Sequence, residues 1–160
     1  IIDWDTKNST DGKIIVVGEN DRYAIENYLL DPLLMGIFLI RETKLNFSDF
    51  NLNDYTNYAD LMKLTKTDAQ KIADKILNDL GLSSANVKAS QLYNGWTLSI
   101  SQEFNTYQGH DLEILYKTKF PFLNVYQRED RLKKEIIEKV INDYPGFTPV
   151  KIFEPIRKIK

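Results

Sequence analysis

The order of apolar and polar residues at the start of the chain predicts two buried strands followed by two helices. Ile1-Ile2 and the segment from Lys13 to Val17 are β-branched apolar runs. Strands buried on both faces of a sheet have this composition, because neither side faces solvent. From Tyr23 the apolar spacing becomes helical, and Pro32 marks a break. A second, strongly apolar helix is predicted from Leu33 to Arg41.

The link between the two predicted strands decides how they pair. It runs from Thr6 to Gly12 and is rich in turn-forming residues. A crossover between parallel strands normally needs about a dozen residues or more, so two arrangements stay open: parallel strands with an abbreviated crossover, or antiparallel strands. Parallel pairing would bring Asp3 and Asp5 to the same sheet edge as the polar turn from Gly18 to Asp21. Antiparallel pairing would put the two clusters at opposite ends.

The rest of the chain predicts mainly helices, with one β-hairpin. An irregular stretch is predicted from Lys44 to Tyr58, followed by a helix that starts with a capping box at Thr67 to Gln70 and stops at Gly81. A hairpin is predicted from Asn86 to Phe104, with the two-residue turn Asn94-Gly95. The remaining elements are a helix from Asp111 to about Thr118, an amphipathic helix from Arg128 to Tyr144, and a short helix or extended arm from Pro149 to Lys160. The apolar face of the first of these helices consists of Ala69, Ile72, Ala73, Ile76, Leu77 and Leu80.

Composition narrows the class of protein. The 160 residues are 42% apolar and 28% charged, as in an ordinary globular domain. A net charge of -2 excludes a domain that binds nucleic acid through a globally basic surface, so such binding would need a local patch. The absence of cysteine excludes disulfide and thiolate chemistry and fits a cytoplasmic location. The longest apolar run, Leu33 to Ile40, is too short to span a bilayer, so we expect no membrane partner.

Asp3-x-Asp5 is the sharpest candidate for chemistry. Residues two apart on a strand point to the same face, so both carboxylates could converge on one hard cation at the strand end. Mg²⁺ often takes only one or two protein carboxylates and keeps several waters, which makes such a pair sufficient. The structural alternative is an Asx turn or the start of a loop, the commoner role of this pattern.

Two motifs, taken in order, resemble a known family. An aliphatic strand that runs into Asp-x-Asp is followed by a second aliphatic strand and then by the segment from Ile25 to Leu30, IENYLL. This order resembles the second half of the TOPRIM (topoisomerase-primase) nuclease-like domains that are joined to ABC-type ATPases, in the overcoming-lysogenization-defect nucleases and related prokaryotic proteins. Later, Gly109-His110-Asp111-Leu112 resembles the Gly-Lys-Asp/Glu-Leu step of such sequences.

The resemblance implies a TOPRIM-like core over 1–42, an insertion over 43–108 and a C-terminal helical part over 109–160, all in a single domain over 1–160 of the α/β class, with a partly parallel sheet flanked by helices. It implies a Mg²⁺- or Mn²⁺-dependent nuclease that acts on DNA or RNA beside an ATPase domain of the same chain, in prokaryotic defence or DNA processing. Asp3 and Asp5 match the metal-binding pair. The family's earlier glutamate would lie before Ile1, and the chain begins inside a predicted strand. We therefore expect a fragment of a longer protein, inactive by itself.

Three further residues are candidates for the site. Glu26 could join the metal shell as a catalytic residue, and Asn27 could orient a phosphate or a water; the alternatives are an acid that favours the helix start and an amide that ties down a loop. His110 stands where the family usually has lysine, so it is a substrate-binding candidate or a helix-entry residue. Basic side chains elsewhere could contact phosphates, but the glutamates interleaved with the first pair favour solvated faces. They are Lys133, Lys134, Arg157, Lys158 and Lys160.

Two other hypotheses belong to different classes. A degenerate TOPRIM-like fold could serve as a protein-binding or sensor module without chemistry, which His110 and the near-neutral charge favour. The resemblance could also be accidental, in which case the chain is an unrelated α/β domain, and antiparallel pairing of the first two strands would argue for this. The sequence carries no prediction of oligomeric state.

Overall fold

The computed structural model describes residues 2–5, 7–9, 11, 16–128 and 130–154, which form a mixed α/β fold. The strands are β1 (Ile2–Asp3), β2 (Val16–Val17), β3 (Val87–Gln91) and β4 (Thr97–Ser101). The α-helices are α1 (Ile25–Leu29), α2 (Pro32–Arg41), α3 (Lys66–Leu80), α4 (Gln102–Asn105), α5 (Gly109–Lys119) and α6 (Arg131–Ile136). Short 3₁₀ helices occupy Phe47–Phe50, Tyr58–Lys63, Pro121–Val125, Pro145–Phe147 and Val150–Phe153. The predictions at Ile1, at Lys13 to Ile15 and at Arg157, Lys158 and Lys160 lie outside the described residues.

Strands β1 and β2 pair in parallel, with Ile2 opposite Val16 and Asp3 opposite Val17. The pairing continues one residue further, since the Trp4 backbone N–H donates to the Val17 carbonyl at 3.1 Å. Of the two arrangements that the sequence left open, the described chain adopts the parallel one. The carboxyl ends of both strands therefore lie at the same edge, where the chain turns into α1.

Helix α2 is the centre of the core. Every residue from Pro32 to Ile40 is buried. Asp31 caps the helix by accepting a hydrogen bond from the Leu33 N–H at 2.9 Å, and Pro32 occupies the first helical position, which needs no donor. Helix α3 packs closely on α2, because a Cβ on Gly36 would lie 2.2 Å from the Ile72 methyl group. No helix in the described ranges is both long and apolar enough to cross a membrane.

Helix α3 confirms the predicted apolar face, whose six members are all buried. Its start differs from the prediction. Thr65, not Thr67, is the N-cap, and its hydroxyl accepts a hydrogen bond from the Asp68 N–H. The Asp68 carboxylate accepts from both Thr65 and the Tyr55 hydroxyl, the latter at 2.7 Å. Thr65 and Thr67 have the same capping-box spacing in the sequence, and the hydrogen bond from Tyr55 to Asp68 favours Thr65.

The hairpin β3–β4 forms as predicted, but its loop is longer by one residue. Leu92 N–H donates to the Trp96 carbonyl, so the loop is Tyr93 to Gly95 rather than Asn94-Gly95 alone. Gly95 takes a φ of 88°, which glycine adopts without strain. The outer edge of β4 is covered by Gln70 of α3, whose amide accepts from Ser99 N–H and donates to the Ser99 carbonyl.

The predicted helix from Arg128 to Tyr144 is shorter and changes form. Helix α6 begins only at Arg131 and continues as a π-helix over Ile137–Ile141. The Arg41 guanidinium donates to the Lys139 carbonyl and to the Asp143 carboxylate, so α2 supplies donors from outside the helix at this point. These two hydrogen bonds fix the far end of the helical segment against α2.

Candidate functional site

The end of β1 and the start of α1 are joined through Asp3. The Asp3 carboxylate accepts a hydrogen bond from the Ile25 N–H at 3.0 Å. The residue at the N-cap of α1 is Ala24, which has no side-chain acceptor. The Asp3 carboxylate, which comes from the neighbouring strand, therefore caps one of the N–H groups at the start of α1. It lies at the helix N-terminus, where negative charge is favoured.

Glu26, in the first turn of α1, forms an ion pair with α6. The Lys133 ammonium donates to a Glu26 carboxylate oxygen at 3.2 Å and forms a second ion pair with Asp130 at 2.6 Å. The side chains of Lys133 and Glu26 are only 17% and 20% exposed. Burial lowers the pKa of Lys133, but the hydrogen bonds to Asp130 and Glu26 outweigh it, so the net pKa is raised. Lys133 thus stays an ammonium at neutral pH.

The pKa of the Asp3 carboxyl is raised above its usual value. The main cause is burial, and the negative charges of Glu26 and Asp5 add to it. The hydrogen bond from Ile25 and the positive charge of Lys133 act in the opposite direction without cancelling the effect. Burial is thus the main reason why the ionised form of Asp3 is disfavoured, and the nearby acids make a smaller contribution.

Asp5 lies beyond the end of the strand. Strand β1 ends at Asp3, and Asp5 sits in a turn with a φ of 48°, its N–H bonded to the Tyr23 carbonyl at 2.9 Å. The alternation argument that put Asp3 and Asp5 on one strand face is therefore wrong for Asp5. The two carboxylates nevertheless interact electrostatically, and Asp130 on the other side of Lys133 also adopts a left-handed φ, of 60°. Asp and Asn adopt this conformation more readily than most residues, so these angles are ordinary turn geometry.

Helix α5 begins against the same cluster. It starts at Gly109, two residues earlier than predicted, and a Cβ at Gly109 would lie 2.9 Å from the Ala24 Cβ and 3.0 Å from a Glu26 carboxylate oxygen. Glycine is required for this approach, because any larger side chain would push α5 away from α1. The next residue, His110, is exposed. Gly109 thus borders the Glu26 carboxylate.

Asn27 has the structural role that its position left open. Its side chain is fully buried, and its amide oxygen accepts from Ala24 N–H at 3.0 Å. The amide nitrogen donates to the carbonyls of Phe104 and Tyr107 at 2.9 and 3.0 Å. Asn27 therefore ties the start of α1 to α4 and to the turn that follows it. Its burial and its three hydrogen bonds leave no group of this side chain to orient a phosphate.

A divalent ion at the β1–β2 edge would have to be held by the carboxylates that lie there. Within the part of the chain that the structure describes, no three His, Cys, Asp or Glu side chains are grouped closely enough to hold a metal ion. Glu26 already pairs with Lys133, so Asp3 and Asp5 are the oxygen donors that remain at the edge. This donor set suits Mg²⁺ or Mn²⁺ that keeps most of its waters and takes further oxygens from a phosphate.

Sequence reasoning considered phosphate contact for Lys133 but did not predict its ion pair with Glu26. It predicted a solvated lysine, which is correct for Lys134, whose side chain is 61% exposed, and wrong for Lys133. Both residues lie in a helix with interleaved glutamates, so no local signal distinguishes them. The distinction comes from Glu26, 107 residues earlier in the chain.

Comparison with known proteins adds no relative. The chain matches no family model, no curated protein and no solved structure. The TOPRIM resemblance therefore rests on its two sequence motifs, and the function has to be argued from the geometry of the β1–β2 edge.

Proposed function

We propose that Asp3, Asp5, Glu26 and Lys133 are part of a divalent-metal-dependent nuclease site. The observation that carries the proposal is the convergence of three separate segments at the carboxyl edge of a parallel strand pair: the end of β1, the first turn of α1 and the first turn of α6. Ligand sites of α/β folds concentrate at such edges.

The cation is proposed at Asp3 and Asp5. Burial raises the pKa of Asp3, and a bound cation would favour its ionised form. Mg²⁺ or Mn²⁺, when bound, would polarise the scissile phosphodiester and lower the pKa of a water. The chain's own residues would hold the ion and keep the Asp3 carboxylate oriented through the Ile25 N–H.

Lys133 is proposed to balance charge on the substrate. Its ammonium is held at the edge by Glu26 and Asp130, both of which leave it partly accessible to solvent. A lysine ammonium is a compact charge on a flexible stem and can bind a phosphate oxygen. The exposed His110 at the start of α5 would border the same phosphate. The family resemblance is the basis for three further proposals: DNA or RNA as the substrate, an ATPase domain in the same protein, and a role in prokaryotic defence.

Cleavage by the full protein tests the proposal. We expect metal-dependent nicking or cleavage of DNA or RNA that the double variant Asp3→Asn, Asp5→Asn abolishes while the protein stays folded. The matched control is Asp74→Asn, Asp79→Asn on α3, which removes two carboxylates of the same type outside the edge. Unchanged cleavage by the Asp3, Asp5 variant would refute the assignment.

The second candidate is a binding or sensor module without chemistry. It is favoured by the closed ion pair between Glu26 and Lys133 and by the lack of a three-ligand metal group within the described residues. Such a module would fold and bind its partner without divalent metal and would tolerate Asp3→Asn. A metal-independent partner interaction that survives this substitution, together with no cleavage by the full protein, would favour it over the nuclease.

A further inference from the structure

A cavity of about 370 Å³ lies at the C-terminal end of α2. Its walls are the end of α2 and the two 3₁₀ helices Phe47–Phe50 and Tyr58–Lys63 with the loop between them. The volume is within the range of small-molecule pockets in proteins. All lining residues belong to the described part of the chain.

The lining indicates a neutral ligand. None of the eleven lining residues is Asp, Glu, Lys, Arg or His. A phosphate or a carboxylate would therefore find no counter-charge among the residues that line the cavity. The aromatic rings of Phe47, Tyr55 and Tyr58 form part of the wall, and Phe47 and Tyr55 lie 5.2 Å apart. Tyr58 is 57% exposed, so its ring is free to stack on a group that enters from solvent.

Hydrogen-bonding groups are available inside this uncharged lining. The hydroxyl of Tyr55 donates to Asp68, and the amide oxygen of Asn57 accepts from Ala59. In contrast, the side chains of Ser48 and Asn53 make no hydrogen bond to any of the residues that the structure describes. Asn53 is exposed, so its amide is accessible to a ligand from solvent. It offers a donor and an acceptor side by side, the pair that matches the N6 and N7 edge of adenine.

The backbone at the cavity wall is strained. Thr43 follows the end of α2 with a φ of 53°, a conformation that β-branched residues rarely adopt. Glycine is the usual residue at such a helix end. Strain of this kind persists where the surrounding structure imposes it, and it is frequent at ligand clamps.

We propose that this cavity binds a neutral purine base of the adenine type, stacked on Tyr58 and hydrogen-bonded by Asn53. The site is independent of the nuclease proposal. The base can come from a free nucleoside or from an unstacked adenine of a nucleic acid strand, since both present the same edge and the same ring face.

An NMR titration of the chain with adenosine tests the site. We expect saturable shifts of the amide signals of 43–58 at millimolar adenosine, with weaker binding of cytidine and no tighter binding of ATP, because no cation lines the cavity. Tyr58→Ala should weaken adenosine binding about fivefold or more. Tyr93→Ala is the matched control, since Tyr93 is 59% exposed and does not line the cavity, and it should leave binding unchanged.

Asn53→Asp keeps the side-chain shape but removes the donor and should weaken adenosine binding about tenfold. A single strand of oligodeoxyadenylate in place of adenosine identifies the source of the base: tighter binding of the strand indicates a nucleic acid, and equal or weaker binding indicates a free nucleoside. Absence of any saturable shift at 43–58 would overturn the proposal. So would equal binding of glucose, or an equal loss of binding in the Tyr93 control.

Discussion

Replacing Asn27 by leucine should remove one of the largest polar contributions to the stability of the fold. The substitution removes three hydrogen bonds, those of the Ala24 N–H and of the carbonyls of Phe104 and Tyr107. The Phe104 carbonyl keeps a second donor, the Tyr107 N–H at 3.2 Å, so two backbone groups lose their partner. Each unpaired buried group costs roughly 1 to 3 kcal/mol. The hydrogen bond to the Tyr107 carbonyl is only partly buried, so water can replace part of it in the variant. The expected total is about 2 to 4 kcal/mol, a large share of the roughly 5 to 15 kcal/mol of a typical domain.

Asn27→Asp separates hydrogen bonding from shape. The carboxylate keeps an acceptor for the Ala24 N–H but faces the carbonyls of Phe104 and Tyr107 with a second acceptor. Its ionised form is disfavoured there, so the pKa of the new carboxyl should be raised in the folded protein. A raised folded-state pKa gives stability that is present at low pH and lost as the pH rises through that pKa. The Asp variant should therefore recover part of its stability relative to the Leu variant on acidification.

Urea unfolding followed by circular dichroism measures both effects. The control is Asn142→Leu, because Asn142 is exposed and its side chain makes no hydrogen bond within the described chain. It should change the free energy of unfolding by no more than about 0.5 kcal/mol. A loss below about 1 kcal/mol for Asn27→Leu would refute the reasoning, since the three hydrogen bonds would then contribute little.

Three further predictions concern other strained or charged positions, and each is tested by urea unfolding. Thr43→Gly should stabilise the fold by about 1 kcal/mol, because glycine adopts the φ of 53° freely; a loss of stability would contradict this. Gly109→Ala should destabilise by about 1 to 3 kcal/mol, because its Cβ meets Ala24 at 2.9 Å, whereas Gly81→Ala has open space but a φ of 73° and should cost about 1 kcal/mol. Asp3→Asn should stabilise the protein at pH 7, since burial and nearby acids raise the pKa of Asp3 in the folded state and make its ionised form costly. The advantage over the wild type should shrink as the pH falls through that pKa and vanish below about pH 4; a gap that is independent of pH would contradict the raised pKa.

Helix α3 shows how far local pattern determines the fold. Its six apolar positions and the stop at Gly81 follow from spacing and glycine chemistry, and the structure has them as predicted. The start could not be predicted as well, because Thr65 and Thr67 both stand three residues before a polar acceptor. The Tyr55 hydroxyl, which bonds to Asp68, distinguishes them. The hairpin likewise follows from its alternation, while its loop length depends on the Leu92 to Trp96 register.

The candidate site depends more strongly on contacts between distant segments. Asp3 and Glu26 could be proposed from their positions after a strand and in the first turn of a helix. Their relation to Lys133 could not, since it joins residues 107 apart. The role of Asn27 is similar, because its amide bonds carbonyls 77 and 80 residues later. Sequence reasoning left both roles of Asn27 open for this physical reason: local pattern gives the side chain but not its partners.

A Mn²⁺ titration of the chain, followed by paramagnetic broadening of its amide signals, is the most direct test of the β1–β2 edge as a cation site. Mn²⁺ held by Asp3 and Asp5 should broaden the signals of 3–5, of Ile25 and Glu26, of Gly109 and of Lys133 at the lowest metal concentrations, and Asp3→Asn with Asp5→Asn should abolish this broadening. Broadening that is spread over exposed carboxylates such as those of α3, or that persists in the double variant, would contradict the cation site and with it the nuclease assignment.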